Sequence, residues 1–193
     1  MRKTGCFVNC RKGKQEYNIK CNCKQYYLIQ YNMIIQKGDP VMENREMVIG
    51  GLQAIVTQLS QQADQHVIQS RIFASEGFSK LADKYASHAD EERGYVKQCI
   101  DRLLDLGCEV KLEAKKEAPV CKDPVEWIKY DLQVSKDGLA GLAPIVEASR
   151  TDYSTYDILV KYYQDEEEDL YWSEQQLAII DCIGKENWLI KQM

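Results

Sequence analysis

Along two stretches of this chain, apolar residues return at every third or fourth position, the spacing of a helix with one buried face. In the first stretch the stripe runs Leu81, Tyr85, His88, Glu92, Tyr95, Cys99, Leu103 and Leu106, with Arg102 beside Leu103. In the second it runs Leu159, Tyr162/Tyr163, Glu166, Leu170, Leu177 and Ile180. Each stripe holds a glutamate near its middle. Burying a carboxylate is costly unless a cation or hydrogen bonds compensate it, so Glu92 and Glu166 are candidate functional residues. Tyr95 lies three positions after Glu92, and Asp169 three after Glu166, on the same helical faces. The spacing predicts two half-sites facing each other across a bundle.

Four helices account for most of the chain. The first is predicted over 44–73, with Gly50 and Gly51 weakening its first turns. The second runs from Phe78 to Leu106 and stops at Gly107. The connection from Cys108 to Lys122, with Pro119 in it, is too long for a helical hairpin and implies a crossover. Asp123-Pro124-Val125-Glu126 opens the third helix with an N-cap, a proline at the first helical position and a capping glutamate. Pro144 should kink or shorten its far end. Ser154 and Asp157 are expected to cap the fourth helix, which ends near Ile183. The segment from Glu186 to Met193, carrying Trp188 and Leu189, is expected to pack as a small fifth element. Little strand signal is present, so the fold class is all-α.

Residues 1–41 stand apart. They hold eight Lys/Arg and two Asp/Glu, whereas the remainder holds 17 basic and 28 acidic residues. They also carry half of the eight cysteines, Cys6, Cys10, Cys21 and Cys23, at a spacing poor for structural zinc. We read 1–41 as a flexible basic extension ending at the turn-like Lys37-Gly38-Asp39-Pro40, and 42–193 as the helical domain. Met42, directly before the periodic region, is an alternative natural start. The other cysteines, Cys99, Cys108, Cys121 and Cys182, have no disulfide-framework spacing, as in a reducing compartment. No secretory signal and no membrane-spanning run is evident, which gives a cytoplasmic expectation with no membrane partner. The acidic body attracts cations and disfavours nucleic acid.

The segment His88-Ala89-Asp90-Glu91-Glu92, continuing through Ile100-Asp101-Arg102-Leu103-Leu104-Asp105-Leu106-Gly107, resembles helix B of the ferritin superfamily. Asp165-Glu166-Glu167-Glu168-Asp169-Leu170-Tyr171-Trp172 is similar to helix D of that superfamily. The likeness is to bacterioferritin-like and Dps-like bacterial ferritins and covers roughly residues 45–185. It implies a ferritin-like four-helix bundle with a long B–C crossover, self-associating into a hollow shell. It also implies iron as cofactor, with Glu92 and Glu166 matching the two glutamates of helices B and D that bind it. The two histidine positions hold Tyr95 and Asp169. The glutamate expected in the first helix falls at Leu59, beside Gln58. In the third helix no carboxylate occurs from Leu132 to Lys136, although Asp131 and Asp137 flank that window. The haem-ligating methionine corresponds to Arg93, so no haem is expected. Cys121-Lys122 matches a Cys-Lys pair of Dps-like thioferritins, but its partner cysteine would fall near Gly138.

By this resemblance the metal set is Glu92, Glu166, Asp169 and Tyr95, an eroded diiron site suited to one iron or a weakly held pair. His66 and His88 read as structural, and the acidic run Asp165–Asp169 has a simpler alternative as a solvated helix face. Three functions are compatible. The chain is an iron-binding shell subunit, or a non-catalytic subunit co-assembling with an active ferritin paralogue. The third is DNA association through Arg2, Lys3, Arg11, Lys12, Lys14, Lys20 and Lys24, which the acidic body opposes.

Overall fold

The structure, a computed structural model, describes residues 7–12, 15–20 and 40–193. Two units are distinguished, Met1–Glu43 and Asn44–Met193. In the first, β1 (Phe7–Lys12) and β2 (Gln15–Lys20) pair antiparallel, from Phe7 opposite Lys20 to Lys12 opposite Gln15. No strand is legible there from pattern alone. Phe7, Val8, Tyr17 and Ile19 favour extended backbone, but the runs are short and broken by Asn, Lys and Glu. Cys6, Cys21 and Cys23 lie outside the described residues, as do Arg2, Lys3, Lys14 and Lys24.

The rest is all helix: α1 (Pro40–Ser75), α2 (Ser79–Asp105), α3 (Pro124–Ala148), α4 (Tyr153–Ile183) and α5 (Lys185–Gln192). The four long helices and the short C-terminal one are those the periodicity predicts. Gly107 has φ 73°, a left-handed stop that a side chain would strain. Asp123 caps α3 by accepting from the Val125 N–H at 2.9 Å. The expected cap of α4 is corrected: Asp152, not Ser154 or Asp157, accepts from the Thr155 N–H. Asp152 wins because Arg102 also fixes it, donating to its two carboxylate oxygens at 2.7 and 2.8 Å. Pro144 does not end α3, which continues to Ala148.

Helix directions follow from side-chain contacts. Ser70 donates to the Ala82 carbonyl and Arg45 to that of Leu106, so α1 and α2 run antiparallel. The crossover then climbs alongside α1, fastened by glutamines at about every second turn. Gln53 donates to the Lys111 carbonyl and accepts from its N–H; Gln61 does the same at Lys116 and Gln69 at Cys121. Gln65 adds a bond to the Pro119 carbonyl. Each primary amide satisfies backbone that a sheet would otherwise pair. The strap delivers α3 back to the starting end of α2, so α2 and α3 run in the same direction.

Two apolar clusters fill the bundle. One gathers Val48, Leu52, Ile55, Leu59, Cys99, Leu103, Leu142 and Leu159, the other Phe73, Leu81, Tyr85, Val125, Trp127, Ile128 and Trp188. On every long helix an ionisable residue falls between the stretches serving the two clusters: His66, Glu92, Asp131 and Glu166. The core is therefore two oily ends separated by a charged belt.

Candidate functional site

His66 is the centre of the belt. Its Nδ1 stands 3.0 Å from Glu92 Oε2 and its Nε2 3.1 Å from Asp131 Oδ1, so one ring joins α1, α2 and α3. Tyr85 and Trp127 wall the imidazole, with ring centroids 5.3 and 5.9 Å away. Burial alone would strip the proton from His66, but its two carboxylate partners prevail and raise its pKa to about 10. At neutral pH the ring is an imidazolium. Glu92, 7% exposed, is pushed upward by burial, although His66 opposes that shift.

Glu166, 8% exposed, faces the same interior from α4. Its pKa rises to about 8 through burial and the charges of Glu92 and Asp169, while the Tyr162 hydroxyl works the other way. No cationic side chain pairs with it among the described residues. Asp169, one turn on, is differently placed. Burial would raise its pKa, but His88 and Lys84 hold it below the usual carboxylate value. Lys84 Nζ donates to Asp169 Oδ1 at 3.1 Å while resting 4.9 Å from the Trp172 ring centre. His88 Nε2 stands 2.9 Å from the same oxygen, at an angle that makes the contact electrostatic rather than a hydrogen bond.

Tyr95 is half-buried, its ring tilted by 44° against that of Tyr162 with centroids 5.0 Å apart. Burial first, then the charges of Asp165 and Glu91, push its phenol up to about 12, so it keeps its proton and is a weak ligand. Leu59, 2% exposed, fills the first-helix position with hydrocarbon and belongs to the apolar cluster below the belt. Ser135 is the buried α3 residue in the window that lacks carboxylates. Among the described residues, no three His, Cys, Asp or Glu side chains gather closely enough to hold a metal ion.

The ferritin-like domain family matches residues 49–183. A bacterial ferritin of Neisseria meningitidis serogroup B is 31% identical over 156 residues, spanning 79% of this chain and 100% of that protein. Those of Synechocystis and Pseudomonas aeruginosa are each 31% identical over 155 residues, with 79% of this chain and 99% and 100% of theirs covered. The chain belongs to the ferritin family.

Within that family frame, the residues present do not fit a pair of irons. Glu92 is engaged by His66 and Asp169 by Lys84; Leu59 and Ser135 supply no carboxylate. Glu92 and Glu166 are legible in the sequence as buried acids, whereas the His66 clamp is not among the expected contacts. Its signal was present: His66 lies seven positions after Leu59 on the α1 stripe, and Asp131 seven before the neighbourhood of Gly138 on α3. A buried histidine and a buried aspartate on separate helices would have had to be paired without knowing the register between them.

Proposed function

We propose that this chain is a shell-forming ferritin subunit that has given up diiron oxidation and holds iron as cargo oxidised elsewhere. The observation supporting this is the His66 imidazolium set between Glu92 and Asp131. A fixed internal cation there compensates carboxylates that would otherwise face a metal. Of the four ligands inferred by resemblance, Glu166 is the interior carboxyl that has no cationic partner among the described residues. Glu92 and Asp169 must leave cationic partners, and Tyr95 must lose a tightly held proton. The site accordingly favours at most one weakly bound ferrous ion. The surviving bundle geometry suits self-association, and the acidic body suits concentrating cations at an inner surface.

Anaerobic titration with Fe²⁺, followed by oxygen and watched at the near-ultraviolet ferric band, tests this. The expected trace rises no faster than protein-free solution. A burst proportional to protein, at two irons per chain, would overturn the proposal.

A second reading is co-assembly with a catalytically active ferritin paralogue, supported by an intact bundle around a disarmed centre. Co-expression with such a paralogue should give mixed shells by native mass analysis. Homogeneous shells alone would count against it. DNA association stays disfavoured by the acidic body, and much of the basic tail lies outside the described residues.

A further inference from the structure

We propose that Lys84 keeps metal off the α2–α4 half of the belt: its ammonium engages the carboxylate oxygen on which a divalent transition-metal ion, held by His88 and Asp169, would otherwise sit. This rests on the reading of the belt as a disarmed centre and names what closes its second half, as His66 closes the first.

The geometry begins with His88 and Asp169. His88 on α2 is 5% exposed, and its Nε2 makes no hydrogen bond to any described residue. Yet that nitrogen stands 2.9 Å from Asp169 Oδ1 on α4. Nitrogen and oxygen ligands sharing one ion at about 2.0–2.1 Å lie roughly 2.9–3.3 Å from each other, for angles between a right angle and the tetrahedral one. Two donors from different helices, close but not bonded to each other, therefore have the spacing of a chelating pair. Imidazole with carboxylate suits cobalt, nickel or zinc rather than a hard alkaline-earth ion. Asp165 lies one turn before Asp169 on the same face of α4, although it does not join the pair as the structure stands. Burial first, and then the charges of Asp169, Glu91 and Glu168, push its carboxyl up, the mark of acids crowded together.

Lys84 sets the state of this pair. It lies one turn before His88 on α2, and its Nζ donates to the same Asp169 Oδ1 at 3.1 Å. The face of Trp172, 4.9 Å from Nζ, holds the ammonium there by a second attraction. A metal ion and an ammonium at one oxygen are like charges in contact, so one excludes the other. The side chains of Lys84 and Asp169 are each 28% exposed, which leaves the oxygen within reach of an ion from solvent once the ammonium is gone. His66 and Lys84 are thus two protein cations placed among the acids of the belt, one in each half.

Titration of the intact protein with Co²⁺, by calorimetry and by the visible absorption of the bound ion, tests the proposal. Lys84→Met keeps an aliphatic stem against Trp172 and removes the charge; a partly exposed pair contributes little to stability, so the variant should melt close to the parent. It should bind Co²⁺ at least about tenfold more tightly than the parent, and Lys84→Arg should not. Adding Asp169→Asn to Lys84→Met should remove the gain. No gain in Lys84→Met, an equal gain in Lys84→Arg, or a gain that survives Asp169→Asn would each overturn it. The iron titration stays separate: an oxygen burst in the parent sinks the disarmed-centre reading, whereas a flat trace with no Co²⁺ gain sinks the role of Lys84 alone.

Discussion

Replacing His66 with leucine isolates the charge at the centre of the belt. The folded pKa of about 10 lies above the unfolded 6.5, so protonation of this ring stabilises the fold. That contribution is complete below pH 6.5 and fades as pH rises towards 10. Taken at face value the gap corresponds to about 5 kcal/mol, at 1.36 kcal/mol per unit. Some of this is offset by relaxation and by the hydrophobic surface that leucine adds. Removing one member of a buried ion pair costs about 3–5 kcal/mol, which brackets the same range. We therefore expect His66→Leu to lose about 3 kcal/mol at pH 6 and little at pH 10. Glu166, whose raised pKa makes folding less favourable as pH climbs from 4.5 to about 8, is present in both proteins and gives each a slope of the same sign. Urea denaturation of both proteins at several pH values between 6 and 10 measures the difference directly. A loss under about 1 kcal/mol at pH 6, or one that does not change with pH, would refute the reasoning.

Other perturbations have expected outcomes as definite. Mn²⁺ should restore part of the stability of His66→Leu, read as a higher melting temperature, because Glu92 and Asp131 then lack their cation; no response would mean the belt tolerates bare carboxylates. Gly51→Ala should cost about 1–3 kcal/mol, since its Cβ would lie 2.5 Å from Ile145 Cγ2, whereas Gly50→Ala meets nothing and should gain about 0.5–1 kcal/mol. Gln69→Ala, which deletes two bonds to Cys121, should lose about 2 kcal/mol and speed proteolysis of the strap more than Gln53→Ala does. Burial opposes but Arg102 and Thr155 enforce the lowered pKa of Asp152, so its stabilisation is present above pH 3.8 and disappears as pH falls through the folded value. Asp152→Asn should thus be less stable than the parent at pH 7 and indistinguishable from it in acid, by thermal melts.

How much of this could be read beforehand depended on whether the information was local. Helix limits and caps were legible at Asp123, Pro124 and Gly107, because capping chemistry operates within a few residues. The cap of α4 was not, since Asp152 is selected by Arg102, a residue 50 positions away that no local pattern brings near. Glu92 and Glu166 announced themselves as acids inside apolar stripes, and both are buried. Their partners did not. Whether Glu92 meets Asp169, His66 or a metal depends on the rotational register of four helices. A shift of one residue turns a side chain by about 100°. The hairpin of the first unit went unread because six-residue strands of mixed polarity carry too few positions to establish a period.

The row of glutamines along α1 carries a consequence for how this fold can change. Their amides grip main-chain atoms at Lys111, Lys116 and Cys121, and those atoms are the same whatever amino acid stands there. Leu112, 99% exposed within the strap, is not part of the attachment. Side chains on this segment are therefore free to be exchanged for new outward-facing chemistry while the grip holds. Length is not free: one residue added between two rungs would put the next amide opposite the wrong peptide. The segment can be rewritten in letters but not in metre.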